Sequence, residues 1–245
     1  IIDTLNKSVI NGHYGEIFKA KDSAIITRRA MAINIIDLDS LYIHADTLIA
    51  TGPQEKKILR GYYDVRIFKT DLRGKSDSLH LDQSTGLIKL LKLPLNRKEE
   101  QIFTASQKNA KNPVLWFGKS QMSGDKIFLT SDMKTKKLDS LKILGNSWII
   151  ENDSISDTGF NQIKGGILDG AFEEGKLREI EVNKNTEVIY YMYSDEDNEL
   201  IGIDKTTCSR LKMVTANNQT EDITFFVSPY GDLYPDKDLP TNERK

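Results

Sequence analysis

Cysteine is almost missing from this sequence: Cys208 stands alone among 245 residues, so no disulfide can close within the chain. An oxidising compartment is therefore neither required nor excluded. A reactive thiol needs a base beside it, and none is visible around Cys208, which reads as an ordinary strand or loop residue. Nowhere does the chain approach the roughly 18 to 20 apolar residues of a membrane-spanning helix. Net charge is also lacking, since 34 basic residues meet 36 acidic ones and leave −2. That balance gives no sequence-wide attraction to nucleic acid or to an anionic membrane. Histidine occurs three times, as His13, His44 and His80, in separate segments. A GxSxG elbow, an HExxH helix and a glycine-rich phosphate loop are all absent. The expectation is a protein that is not an enzyme, with no catalytic residue, metal ligand or cofactor to assign.

What is present is alternation. Leu41, Ile43 and Ala45 fall on one face of a strand, and Tyr42 and His44 on the other. The same period of two recurs in Leu79-His80-Leu81, Ile127-Phe128-Leu129 and Leu141-Lys142-Ile143. Ile180-Glu181-Val182 and Val188-Ile189-Tyr190-Tyr191 are rich in β-branched and aromatic residues and also read as strand. Only residues 97–111 have a helical composition, and with few apolar residues to dock they read equally as a solvated insertion loop. Turn signals are short: Thr51-Gly52-Pro53, Arg73-Gly74, Ser84-Thr85-Gly86, Leu144-Gly145-Asn146 and Glu174-Gly175-Lys176. A mean hydropathy of −0.44 suits an open architecture whose strands each bury one face. The pattern predicts one all-β domain over residues 1–245, antiparallel, with an irregular tail over residues 228–245.

A short phrase recurs at irregular spacing: Asp39-Ser40-Leu41, Asp77-Ser78-Leu79, Asp125-Lys126-Ile127 and Asp139-Ser140-Leu141. Asp and Ser offer oxygens to neighbouring backbone N–H groups, which suits a turn or the start of a strand. The apolar residue that follows begins an inward-facing series, and such series can stack into columns along a solenoid-like sheet.

The order of these phrases resembles the OstA-like family, the lipopolysaccharide-transport (organic solvent tolerance, LptA-type) β-jellyroll. Over residues 50–148 it is carried by Gly61-Tyr62-Tyr63-Asp64-Val65, then Lys75-Ser76-Asp77-Ser78-Leu79-His80-Leu81, Pro113-Val114-Leu115-Trp116, and Gln121-Met122-Ser123-Gly124-Asp125-Lys126-Ile127. Residues 39–48 and Phe160-Asn161-Gln162-Ile163-Lys164-Gly165 look like a larger subclass of it. The likeness extends over residues 14–234, and the material after Trp148 and the insertion at 97–111 depart from it. It implies a folded-over antiparallel jellyroll, open at both ends, whose apolar interior holds the acyl chains of lipopolysaccharide. It further implies a periplasmic location, a role in outer-membrane assembly, and partners that are related β-jellyroll proteins or the chain itself, joined end to end by strand pairing. The chain opens on Ile1-Ile2-Asp3 without a basic n-region, and the expectation is a processed form with its signal peptide out of view.

The residues expected to form the lipid groove are Leu41, Ile43, Leu79, Leu81, Ile127, Leu129, Leu141 and Ile143, joined by the aromatic clusters at Trp116 and Trp148. Arg28-Arg29, Lys56-Lys57 and the lysines of 134–137 are candidates for its mouth or for plain solvated turns. His44 and Asp46 share a strand face, yet no second histidine sits at ligand spacing, and a solvated histidine is the simpler reading. Asp132, Asp139 and Asp153 make a carboxylate set of the kind any acidic β protein offers. The alternatives to lipid carriage are a polysaccharide-binding or polysaccharide-processing β-solenoid, and a structural strand-pairing adaptor whose interior is filled by its own side chains.

Overall fold

The computed structural model describes residues 1–4, 7–35, 40–153, 155, 159–194, 196–216, 219–235 and 238. In chain order the elements are β1 (Ile2–Asp3), β2 (Ser8–Asn11), β3 (Tyr14–Phe18), β4 (Ser23–Asn34), β5 (Leu41–Thr51), β6 (Ile58–Lys69), β7 (Leu72–Asp82) and β8 (Leu87–Leu91). Two short helices follow, α1 (Arg97–Ile102) and α2 (Ala105–Asn109). Then come β9 (Val114–Phe117), β10 (Ser120–Ser123), β11 (Lys126–Ser131), β12 (Leu138–Asn152), β13 (Phe160–Glu173), β14 (Lys176–Tyr193), β15 (Leu200–Ala216), β16 (Gln219–Phe226) and β17 (Tyr230–Tyr234). Every strand pairing is antiparallel, and the all-β expectation holds.

The long strands are bent once, near the middle. In β4, β6, β12 and β14 the bend is a pair of left-handed residues: Arg28-Arg29, Tyr63-Asp64, Gly145-Asn146 and Lys184-Asn185. Opposite each pair the partner strand supplies a single unpaired residue, such as Asp77 facing Tyr63-Asp64 or Ser209 facing Lys184-Asn185. Two residues against one is the geometry of a β-bulge, which bends a strand and sharpens its twist. Repeated on successive strands, it folds the whole sheet along a seam into two facing layers. The first layer holds the leading halves of β5, β7, β13 and β15 and the trailing halves of β4, β6, β12 and β14, with β1, β2, β9, β10 and β17. The second holds the other halves, with β3, β8, β11 and β16. The Phe117 and Phe172 rings meet edge-on across the gap, 5.2 Å between centroids.

Small side chains line the seam because the layers converge there. Ala30, Ala45, Ser76, Ser147, Thr186 and Cys208 are all buried at or beside a bend. Their polar atoms take up carbonyls that the bend removes from the ladder. Ser76 donates to Ser78 O at 2.9 Å, Thr186 to Val182 O at 3.3 Å, and the Cys208 thiol to Arg210 O at 3.2 Å. Three glycines sit against the inward side chain just before a bend. A Cβ on Gly12 would lie 2.3 Å from Ile26 Cγ2, one on Gly124 2.3 Å from Ile143 Cγ2, and one on Gly165 2.4 Å from Val182 Cγ1.

Two sequence readings are corrected at this seam. Leu144-Gly145-Asn146 is a bend inside β12 and not a turn between strands, and Asp77-Ser78-Leu79 crosses the bend inside β7 where a turn or a strand start was expected. Arg73-Gly74 is also strand, where a Cβ on Gly74 would come within 2.6 Å of Ile67. The remaining phrases lie near strand starts, at β11 and β12, while Asp39 falls outside the described residues. The tail is corrected too: Tyr230–Tyr234 is a strand paired to β15, because Tyr230 and Tyr234 keep enough β character to extend the edge before Pro235.

The helical insertion leaves the sheet at the seam, between β8 in the second layer and β9 in the first. Each helix opens with a capping box, Asn96 with Glu99 and Thr104 with Gln107, and neither buries a residue. Both sequence readings were partly right: the segment is helical, and it is solvated. Its base is clamped by Lys92 Nζ, which donates to Asn112 at 2.8 Å and reaches Asp125 at 3.3 Å.

Candidate functional site

At the end of the sheet where the chain begins, the outermost strands pair on one side only, β1 with β2 and β3 with β4. Among the described residues no strand ladder joins the two layers there. Between them lies a cavity of about 390 Å³, floored by Ala24, Ala32, Ile43, Ala50, Leu59 and Leu81. A second cleft of about 370 Å³ shares Leu81 and Gln83 with it and adds Leu41, Ile88, Lys7, Lys134 and Lys136. The floor is apolar because strand alternation delivers every second residue inward, and alanines at three of those positions leave room. The first cavity's rim balances Lys19 and Lys57 against Asp3 and Asp22, and the second cleft's rim is cationic, with three lysines. Lys57 bridges the mouth by pairing with Asp3 at 3.6 Å. Gln83 Oε1, shared by both cavities, is buried without a hydrogen-bond donor among the described residues, which gives the mouth an open acceptor.

The structure brings all eight expected aliphatic groove residues into one core. Leu41, Ile43, Leu79, Leu81, Ile127, Leu129, Leu141 and Ile143 are buried together between the layers. Leu41, Ile43 and Leu81 reach the mouth cavities, and the other five form the filled centre. The two tryptophans do not join them, and this is a correction. Alternation turns Leu115, Phe117 and Ile149 inward, so Trp116 and Trp148 project from the opposite face, with Trp116 37% exposed. Arg28-Arg29 is also away from the mouth, at the bend of β4, whereas Lys57, Lys134 and Lys136 do reach it.

His44 Nδ1 lies 3.1 Å from Ala30 O, on the outward face of β5. Asp132 caps a turn by accepting from the Lys134 and Thr135 amides, and Asp153 bonds Tyr193, so neither stands beside Asp139 as an acid pair. Among the described residues no three His, Cys, Asp or Glu side chains gather at metal-holding distance. Burial holds the Cys208 thiol above its ordinary pKa and therefore protonated.

The interior turns acidic away from the mouth. Glu151, beside Phe117 and Leu177, has its pKa raised by burial, with partial relief from the Ser120 hydroxyl at 3.2 Å. Asp204 is raised by burial as well. A carboxyl whose folded pKa exceeds its unfolded one contributes stability that is full below the unfolded pKa and is lost as pH rises through the folded one. Glu151→Gln should therefore raise the thermal midpoint near pH 7 and leave it nearly unchanged near pH 4, where both forms are neutral. Scanning calorimetry across that range checks the sign; an equal gain at both pH values would refute it.

Sequence reasoning missed Gln83, Leu59, Ala24 and Ala50 as mouth residues. Their signal was faint: the inward set of β5 runs Leu41, Ile43, Ala45 and then Leu48, Ala50, a change of parity across Asp46. Comparison of the chain with protein families and with curated proteins returns no match. Function rests on this geometry and on the sequence itself.

Proposed function

We propose that the chain is a non-enzymatic carrier of an amphipathic lipid of the lipopolysaccharide kind, an open-ended folded-over jellyroll of the OstA-like type that works in the periplasm during outer-membrane assembly. One observation carries the reading: an apolar cavity opens at the end of the two layers, continuous with the buried core and adjoined by a lysine-rimmed cleft. Acyl chains on that floor would lose contact with water at roughly 25 cal/mol per Å² of apolar surface. Phosphates would remain at the rim beside Lys19, Lys134 and Lys136. The outer edge of β3, which has no second ladder partner among the described residues, supplies the edge through which a related protein or a second copy would continue the sheet.

A photo-crosslinking residue tests this. Placed at Leu81, on the floor of both cavities, it should capture lipopolysaccharide from mixed vesicles. Placed at His80, on the outward face of the same strand, it should not. Equal labelling at the two positions, or none at Leu81, would remove the carrier reading. The filled centre favours the second account in that event, a strand-pairing adaptor whose interior is its own side chains.

A further inference from the structure

The outward face of the first layer carries a feature that lipid carriage does not use. Cross-strand register sets Tyr42 beside Phe68, Phe68 beside Arg73, and Arg73 beside Trp116, in one row over β5, β6, β7 and β9. Arg66 and Lys75 occupy the next outward positions of β6 and β7 and face each other. An exposed aromatic row is costly to leave in water. Here Tyr42 is 40% and Phe68 47% exposed. The rings are nevertheless held in place. Tyr42 and Phe68 lie 6.3 Å apart at 56°, the Arg73 guanidinium sits 5.4 Å from the Phe68 centroid, and Trp116 Nε1 donates to Gln121 at 2.9 Å. A depression of about 890 Å³ runs between Phe68, Arg73, Lys75 and Trp116.

We propose that this face is a binding platform for an acidic polysaccharide. Pyranose rings present C–H faces that stack on aromatic side chains, and Phe68 and Trp116 stand two strands apart, roughly 10 Å at the usual strand spacing. Arg73 lies between them and, like Lys75, has no carboxylate partner among the described residues, so both offer free cations to uronate or phosphate groups. Asp71 on the edge of the depression and Gln121 beside Trp116 supply acceptors for sugar hydroxyls. The same carboxylate, together with Asp64 on Arg66, argues against a single-stranded nucleic acid. A uronate chain offers hydroxyl donors to these acceptors, and the phosphodiester backbone of DNA does not. The polymer bound is not the headgroup of a lipid seated in the interior, because the backbone of β5, β6, β7 and β9 separates the two faces.

Titration calorimetry with hexagalacturonate, its methyl ester and oligothymidylate at low salt tests the assignment on the full chain. Wild type should bind hexagalacturonate, and the neutral ester at least about tenfold more weakly. Trp116→Ala and Arg73→Ala should each weaken the acidic sugar about tenfold or more, with both variants still folded at the assay temperature because neither side chain belongs to the core between the layers. Capture of lipopolysaccharide at position 81 should be the same in both variants, which separates this proposal from the carrier reading. Absence of hexagalacturonate binding, affinity unchanged in both variants, or tighter binding of oligothymidylate would overturn it.

Discussion

Leu129→Ala should lower the unfolding free energy by about 2–5 kcal/mol, with an unchanged denaturant slope. Leu129 is 0% exposed and pairs across β11 with Leu141 on one side and Ile88 on the other, all inward. A truncated side chain there loses its transfer free energy and leaves a void that neighbours locked in a sheet cannot close. The measurement also reports on the interior. A centre packed by its own side chains gives the full loss, whereas a centre kept open as a trough gives a loss near 1 kcal/mol, since there is little packing to remove. Urea unfolding at one temperature decides between them, and the small value would move the proposed lipid path from the mouth into the centre.

The second large effect belongs to the seam. Gly124→Ala should destabilise by about 1–3 kcal/mol, in the range of overpacked cores. Its added carbon would lie 2.3 Å from Ile143 Cγ2 and 2.9 Å from the Gly145 carbonyl, and a backbone atom cannot step aside. Gly61→Ala is the control. Gly61 also sits next to a bend, but the nearest atom to its added carbon is Ala45 Cβ at 3.3 Å, so a loss well under that of Gly124 is expected. Equal losses at the two sites would mean that glycine is kept along the seam for chain flexibility and not for closeness of approach.

Much of the first-order structure was legible. Leu41, Ile43, Ile127 and Leu129 declare their shared face by simple alternation. The bend was not legible for a physical reason. In β6 the inward series runs Leu59, Gly61, then Val65, Ile67, so two left-handed residues slip in without changing parity and look like a weak stretch of one straight strand. Tyr63, Arg28 and Arg29 are poor advertisements for left-handed geometry, whereas Asp64, Gly145, Asn146 and Asn185 tolerate it but read equally as turn residues. At Arg28-Arg29 the surrounding strands impose that conformation, and tertiary imposition leaves no local mark there. The tryptophans failed for the opposite reason. Their size suggested a wall of the groove, yet Val114-Leu115-Trp116-Phe117 alternates strictly, and parity outranks bulk. Gln83 could not be found at all, because an unmet acceptor is a property of the space around it.

The paired and single bends also set a grammar for how such a chain can change length. A strand with a two-residue bend keeps its odd or even register from one layer to the next, and its neighbour with a one-residue bend switches it. Deleting Asp46 or Ser209 would therefore turn one whole layer of that strand inside out, while the other layer stayed correct. Insertions are harmless only beyond the strand ends or where a bent strand is already broken, and the helical segment between β8 and β9 occupies such a break. Lengthening along the axis must then proceed by complete bent hairpins, one strand of each bend type at a time. The molecule is in this sense counted in pairs.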